Sequence, residues 1–186
     1  MTKDPFYSVS ERFSVRPKFL SGPVPSDEDY LDAVKCALAA PDHGQLHPAR
    51  FIVIENKMLL ADFFKNGALA NGGSEEDAER AKSKALKAPA IVAAIVKIDP
   101  NREKIPVYEQ WMTAGAAVTN FLQALEAKGF GGIIVSGAST RYPQAVEVFC
   151  KKDECISCWI MLGTPNKETP VPQPRDKVDQ YLSYFP

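Results

Sequence analysis

Residues 107–128 constrain this chain more than any other stretch. They form the longest helix candidate, with Gly129 placed as the residue that ends it. Apolar residues surround this helix on nearly every face, so it must lie buried or at a subunit interface. Its run Ala114-Gly115-Ala116-Ala117 lets a neighbouring helix approach closely. Covering such a helix takes a full core. A chain of 186 residues with 45% apolar composition supplies one, and residues 1–186 are expected to form one domain. Lys and Arg total 22 against 23 Asp and Glu, for a net charge of −1. That balance removes the electrostatic footprint of a nucleic-acid-binding domain. The longest apolar runs, such as 88–96, fall far short of the ~20 residues that span a bilayer. The opening Met1-Thr2-Lys3-Asp4-Pro5-Phe6 has no apolar signal region, and the cysteines number only four. A reducing cytoplasm is therefore the expected compartment.

No repeat, low-complexity tract or linker divides the chain. A short, poorly patterned helical signal covers 5–13, and 15–19 reads as strand-like or loop chain because Pro17 biases Arg16 towards an extended backbone. Ser26, followed by Asp27, Glu28 and Asp29, starts a helix that carries Leu31, Val34 and Leu38 at helical spacing and stops at Pro41. Residues 51–54 are a short buried strand, and 57–70 and 75–86 are helices. The β-branched and Ala-rich run 90–98 predicts a central strand. After the long helix come a strand at 130–135, a helix at 143–149, a strand at 156–162 and a Pro-rich extended tail over 164–176. Strands interleaved with helices imply α+β or α/β. The tail is long enough to reach around a partner subunit.

Several residues could carry chemistry. Arg12, Ser14 and Arg16 alternate, so an extended backbone sends all three side chains to one face. Two guanidiniums and a hydroxyl suit a phosphate; the other reading is a solvated basic face. The segment 42–47, Asp-His-Gly-Gln-Leu-His, lies between Pro41 and Pro48, which argues for a ligand-contacting loop and against a helical His–x₃–His metal pair. Cys155 and Cys158 form a CxxC, but it leads into a strand that turns the two thiols to opposite faces, so structural cysteines are expected. The glycines of 129–132 follow a helix and precede a strand, the reverse of a dinucleotide fingerprint. Glu109 reads most simply as a first-turn acid. No self-sufficient catalytic set appears, which points to chemistry supplied by a cofactor.

These pieces, in order, resemble the FMN-dependent nitroreductases. Arg12-Phe13-Ser14-Val15-Arg16 is similar to that family's RRSxR opening, and 40–51 occupies the place of its APS…N-x-Q-P-W-x-F loop. The Ala-Pro-Asp-His form of the loop resembles a compact, single-domain branch of the family. Further matches are Lys104-Ile105-Pro106, Glu109-Gln110, Met112-Thr113-Ala114-Gly115, Gly129-Phe130-Gly131-Gly132-Ile133 and Leu162-Gly163-Thr164-Pro165. Phe13 stands for the second Arg, His47 for the usual Gln and Ala49 for the usual Trp.

The resemblance implies an α+β fold with a central, mostly antiparallel sheet flanked by helices, built as an intertwined homodimer with FMN at the subunit interface. It implies that the segment containing Arg12, Phe13, Ser14 and Arg16 holds the FMN phosphate and ribityl chain. It places Pro41, Asp42 and His43 at the flavin ring, together with Ile134, Val135, Ser136 and Gly137. Arg175 matches a late basic residue used on the phosphate. NADH or NADPH would be the hydride donor, in ping-pong reduction of a small nitroaromatic or quinone-like acceptor. A flavin-dependent dehydrogenase or dehalogenase of a specific metabolite would use the same slot. The departures at His47 and Ala49 keep a non-catalytic flavin-binding protein in view.

Overall fold

Strand β3, Ala90–Lys97, is buried at every position but the last. Ala90, Val92 and Ala94 enter one core, while Ile91, Ala93 and Ile95 enter another. A strand apolar at both parities is stable only at the centre of a sheet covered on both faces, and β3 occupies that place. The computed structural model describes residues 9–173 and 177–185. Of the helix expected over 5–13, only the end therefore lies among the described residues.

Four more strands complete the sheet: β1 (Leu20–Ser21), β2 (Ala49–Val53), β4 (Gly131–Val135) and β5 (Glu154–Pro165). β3 pairs with β2 and β5, and β5 also pairs with β4 and β1, all antiparallel. β5 runs beyond the predicted 156–162. Its polar start pairs with the end of β3 after a register shift at Ala94/Ile95, and Thr164-Pro165 pair with β1. Neither extension carries an apolar pattern, so backbone pairing alone reveals them.

Helices α1 (Asp27–Leu38) and α4 (Val107–Ala127) cover one face of the sheet. Helices α2 (Lys57–Ala70), α3 (Glu75–Lys87) and α5 (Pro143–Phe149) cover the other. The fold is thus α+β, an antiparallel sheet flanked by five helices. The start of α1 is locally encoded: the Ser26 hydroxyl accepts from the Asp29 N–H, and the Asp29 carboxylate accepts from the Ser26 N–H in return.

The stripe that α1 buries differs from the one its spacing suggests. Tyr30, Ala33 and Ala37 are buried, whereas Leu31 and Leu38 are 62% and 53% exposed. Small residues let α1 sit close against α4, and that fit outweighs turning the larger leucines inward. α4 is likewise one-sided. It buries Thr113, Ala117, Phe121 and Leu125 and leaves Tyr108, Trp111 and Met112 outside. Gln110, also buried on α4, exchanges hydrogen bonds with the backbone of Asp99 and donates to the Ile105 carbonyl, fixing the preceding loop to the helix.

Candidate functional site

The segment 12–18 is laid along the sheet by one backbone bond, from the Val15 N–H to the Gly132 carbonyl (2.9 Å). Val15 and Pro17 turn inward, and Ser14, Arg16 and Lys18 turn out. That alternation is what an extended chain requires. Arg12 and Phe13 are half-buried. The segment walls a cavity of about 550 Å³ together with tail residues 170–173. Arg12, Arg16 and Lys18 give this cavity three cations, and Ser14 adds a hydroxyl. Such a donor set fits the phosphate end of a flavin mononucleotide. Lys18, whose ammonium lies 4.6 Å from the centre of the Phe19 ring, sits in the short 3-10 turn Pro17–Phe19 that follows the extended segment and was missed in the sequence. Arg175, expected at the phosphate, lies outside the described residues.

The loop 41–47 is clamped onto the start of α4. Thr113 Oγ1 donates to the Pro41 carbonyl (2.9 Å), and His43 Nδ1 lies 2.8 Å from Glu109 Oε2. Glu109 is therefore more than a first-turn acid, and its hydrogen bond with His43 holds its carboxyl below the usual range. Gly44 has a φ of +80°, the region that favours glycine, and a Cβ there would also push the end of the Ile105 side chain aside. Asp42 organises the loop from within. Its carboxylate accepts from the His47 N–H (2.8 Å), and its carbonyl accepts from the Gln45 N–H. The loop borders an apolar cavity of about 290 Å³ floored by Val34, Leu38, Phe51 and Ala117, with Asp42, His47 and Arg50 at its polar edge.

At the end of β4 the side chains alternate again. Val135 packs into the core under α2 and α5, while Ile134 and Ser136 are exposed. Gly137 takes φ +133° and starts a short turn, Ala138–Thr140. That turn is held by Trp159 Nε1, which donates to the buried Ser139 hydroxyl, and by Thr140 Oγ1, which donates to the Gly137 carbonyl. The basic cavity and the apolar cavity share no lining residue. One chain thus presents the expected phosphate set and the expected ring loop as two separate surfaces.

Arg50, next to the loop, makes a two-pronged contact with Glu154: Nε to Oε1 at 2.9 Å and a terminal nitrogen to Oε2 at 2.5 Å. The Arg50 hydrogen bond, joined by the Lys151 N–H, holds the Glu154 carboxyl down at about 2. A depressed carboxyl contributes stability that is complete above its unfolded value and is lost as pH falls towards the folded value. Urea midpoints are therefore expected to drop between pH 4.5 and 2, and Glu154→Gln to be less stable at pH 7 with a flatter acid limb. An unchanged acid limb in that variant would count against the pairing. Burial raises the Cys150, Cys155 and Cys158 thiols, the last to about 11. Cys155 is exposed and Cys158 buried, so the CxxC is not built as a redox dithiol.

The order of these features along the chain has a counterpart. A family model described as "Nitroreductase family" matches residues 9–164. The chain belongs to the nitroreductase family. It is 33% identical over 173 residues to the "Putative NAD(P)H nitroreductase YdjA" of Escherichia coli (strain K12), covering 89% of this chain and 92% of that one. A nitroreductase-like family protein from Bacillus cereus superposes with a TM-score of 0.81 at 20% identity, over 100% of this chain and 97% of that one. A nitroreductase with bound FMN from Desulfitobacterium hafniense superposes at 0.71 with 19% identity, over the whole of both chains. At these identities the structural likeness establishes the nitroreductase fold. Among the described residues of this chain, no helix is long and apolar enough to cross a membrane.

Proposed function

We propose that this nitroreductase-family chain is an FMN-dependent oxidoreductase driven by NADH or NADPH, reducing nitroaromatic or quinone-like acceptors. The observation that carries the proposal is the cavity at 12–18, which Arg12, Arg16, Lys18 and Ser14 line together, against one acid, Glu11, among the described lining residues. In this reading Arg12, Ser14 and Arg16 hold the phosphate, with Lys18 at its margin and Phe13 packing alongside. Pro41, Asp42 and His43 line the ring, as do Ile134, Val135, Ser136 and Gly137. Bound FMN supplies two-electron chemistry between a nicotinamide and an acceptor.

The chain's own contribution is positional. Glu109 orients His43 through Nδ1, and Thr113 fixes Pro41, so the loop presents a set surface to the ring. The apolar floor of Val34, Phe51 and Ala117 excludes water from a flat acceptor. No side chain serves as a nucleophile. The name of the 33%-identical relative, "Putative NAD(P)H nitroreductase YdjA", supports the donor.

The protein also acts, in this proposal, as an intertwined homodimer in the cytoplasm, each chain one domain of the compact Ala-Pro-Asp-His branch, with Arg175 reaching the phosphate. Dimerisation would unite the two separate surfaces. Its support is the apolar side left outside by α1 and α4 (Leu31, Leu38, Tyr108, Met112) and the exposed tail residues Tyr181, Tyr184 and Phe185.

The test is the visible spectrum of the purified protein before and after heating. Oxidised-flavin bands, FMN in the heated supernatant and NAD(P)H oxidation on adding a quinone are expected. A colourless protein that fails to take up FMN would overturn the reading. A yellow protein that does not oxidise either nucleotide would leave a flavin-binding protein.

A further inference from the structure

The carboxylate of Glu126, in the last turn of α4, lines a recess that shares Glu11, Arg12, Phe13 and Val15 with the basic cavity. It lies 3.7 Å from Arg12, and only 13% of its side chain is exposed. Around it stand Val15, Phe130, Gly131 and Pro165. Of the charged groups among the described residues here, the N-terminal segment supplies Arg12 and Glu11, and β4 and β5 supply none. Lys128, two residues on, is turned away to Asp29 and Asp32. Among the described residues, Arg12 is the counter-charge beside this carboxylate, and it is the residue expected to bind a phosphate.

We infer that Glu126 and the cofactor phosphate compete for Arg12, so that Glu126 tunes how firmly a flavin phosphate is held and loosens it as pH rises through neutrality. This rests on the assignment of Arg12 to the phosphate. When Glu126 is ionised, it holds the guanidinium and adds a negative charge beside the incoming dianion. When it is protonated, its hold on Arg12 is lost and the repulsion is gone. Burial raises the Glu126 carboxyl to about 7, against the smaller opposing effect of Arg12, which puts the exchange in the physiological range. Phosphate binding must in turn raise the Glu126 carboxyl further, because linkage is reciprocal. A rise of about one unit makes the affinity change tenfold between the protonated and ionised limits. The second ionisation of a phosphate monoester, near pH 6, strengthens binding as pH rises and so works in the opposite direction. Glu126 is a positioning residue in this scheme and touches no reacting atom.

The experiment is a fluorescence titration of the apoprotein with FMN and, separately, with riboflavin, from pH 6 to pH 8.5, for the wild type and Glu126→Gln. In the wild type, the FMN Kd is expected to rise about 3- to 7-fold relative to the riboflavin Kd across this range, the lower figure including the opposing phosphate ionisation. In Glu126→Gln that ratio should stay flat or fall. Identical pH profiles for the two proteins, with FMN still bound more tightly than riboflavin, would overturn the role of Glu126 alone. Equal affinity for FMN and riboflavin in the wild type would instead overturn the phosphate assignment. Should the variant not fold, the wild-type ratio decides by itself, and a ratio that does not rise with pH overturns the inference.

Discussion

Replacing Arg12 with alanine in a Glu126→Gln background is expected to weaken FMN binding about 10- to 100-fold and to leave riboflavin affinity within about twofold. A hydrogen bond to a charged group contributes about 1.5–3 kcal/mol, which sets that range. The background matters because Arg12 is the cation beside Glu126. Arg12→Ala alone would leave a largely buried carboxylate without it, and a loss of affinity could then reflect local rearrangement. With glutamine at 126, the carboxylate that faces Arg12 is no longer left buried and charged. The selective loss of FMN over riboflavin reports the phosphate contact itself, because the two flavins share the ring and the ribityl chain. Isothermal titration of the apoprotein with each flavin is the measurement. Equal losses for both flavins would place Arg12 away from the phosphate and return the segment to a solvated basic face.

Trp159→Ala is expected to produce the largest loss of stability, about 3–5 kcal/mol, or roughly 10–15 °C in Tm for a chain of this size. Trp159 is fully buried on β5, touches the Phe64 ring at 5.8 Å and meets Phe149 edge-on at 5.6 Å. Alanine would remove the indole and leave a cavity between the sheet and α2. The indole N–H also holds Ser139, so the turn that follows Gly137 would lose its anchor with the core. Trp159→Phe separates these effects, since it keeps most of the packing and loses the hydrogen bond, for about 1 kcal/mol plus a small packing term. Thermal melts of both variants test this. A Trp159→Ala protein that melts within 3 °C of the wild type would show that the neighbouring rings collapse into the space.

Much of this molecule is written locally. The Ser26 and Ser74 capping boxes start α1 and α3, and both hydrogen bonds in each box join residues only three apart. The end of α4 is equally local, with Gly129 at φ +94° as anticipated. β3 was legible because it is apolar at both parities, which no half-exposed strand tolerates. The basic face of 12–16 was legible because alternation in an extended segment needs no knowledge of the rest of the fold. Local pattern failed where the answer depended on a partner. Leu31 and Leu38 have the right spacing to be core, but the amphipathic stripe does not say whether small or large residues meet α4.

The same limit governs the candidate site. Neighbours within a few residues encode a helix between Ser26 and Pro41, another over about 107–128, a two-faced central strand and an alternating Arg–Ser–Arg segment, and all of these were legible before the fold was known. Only the tertiary structure decided that Glu126 faces Arg12, that Glu109 holds His43 and that Trp159 anchors Ser139. These pairs lie far apart along the chain, and each partner taken alone is an ordinary helix acid, loop histidine or core aromatic. Their meeting is set by how the helices seat on the sheet. That seating follows from summed packing over both cores, and no single stretch of sequence contains it.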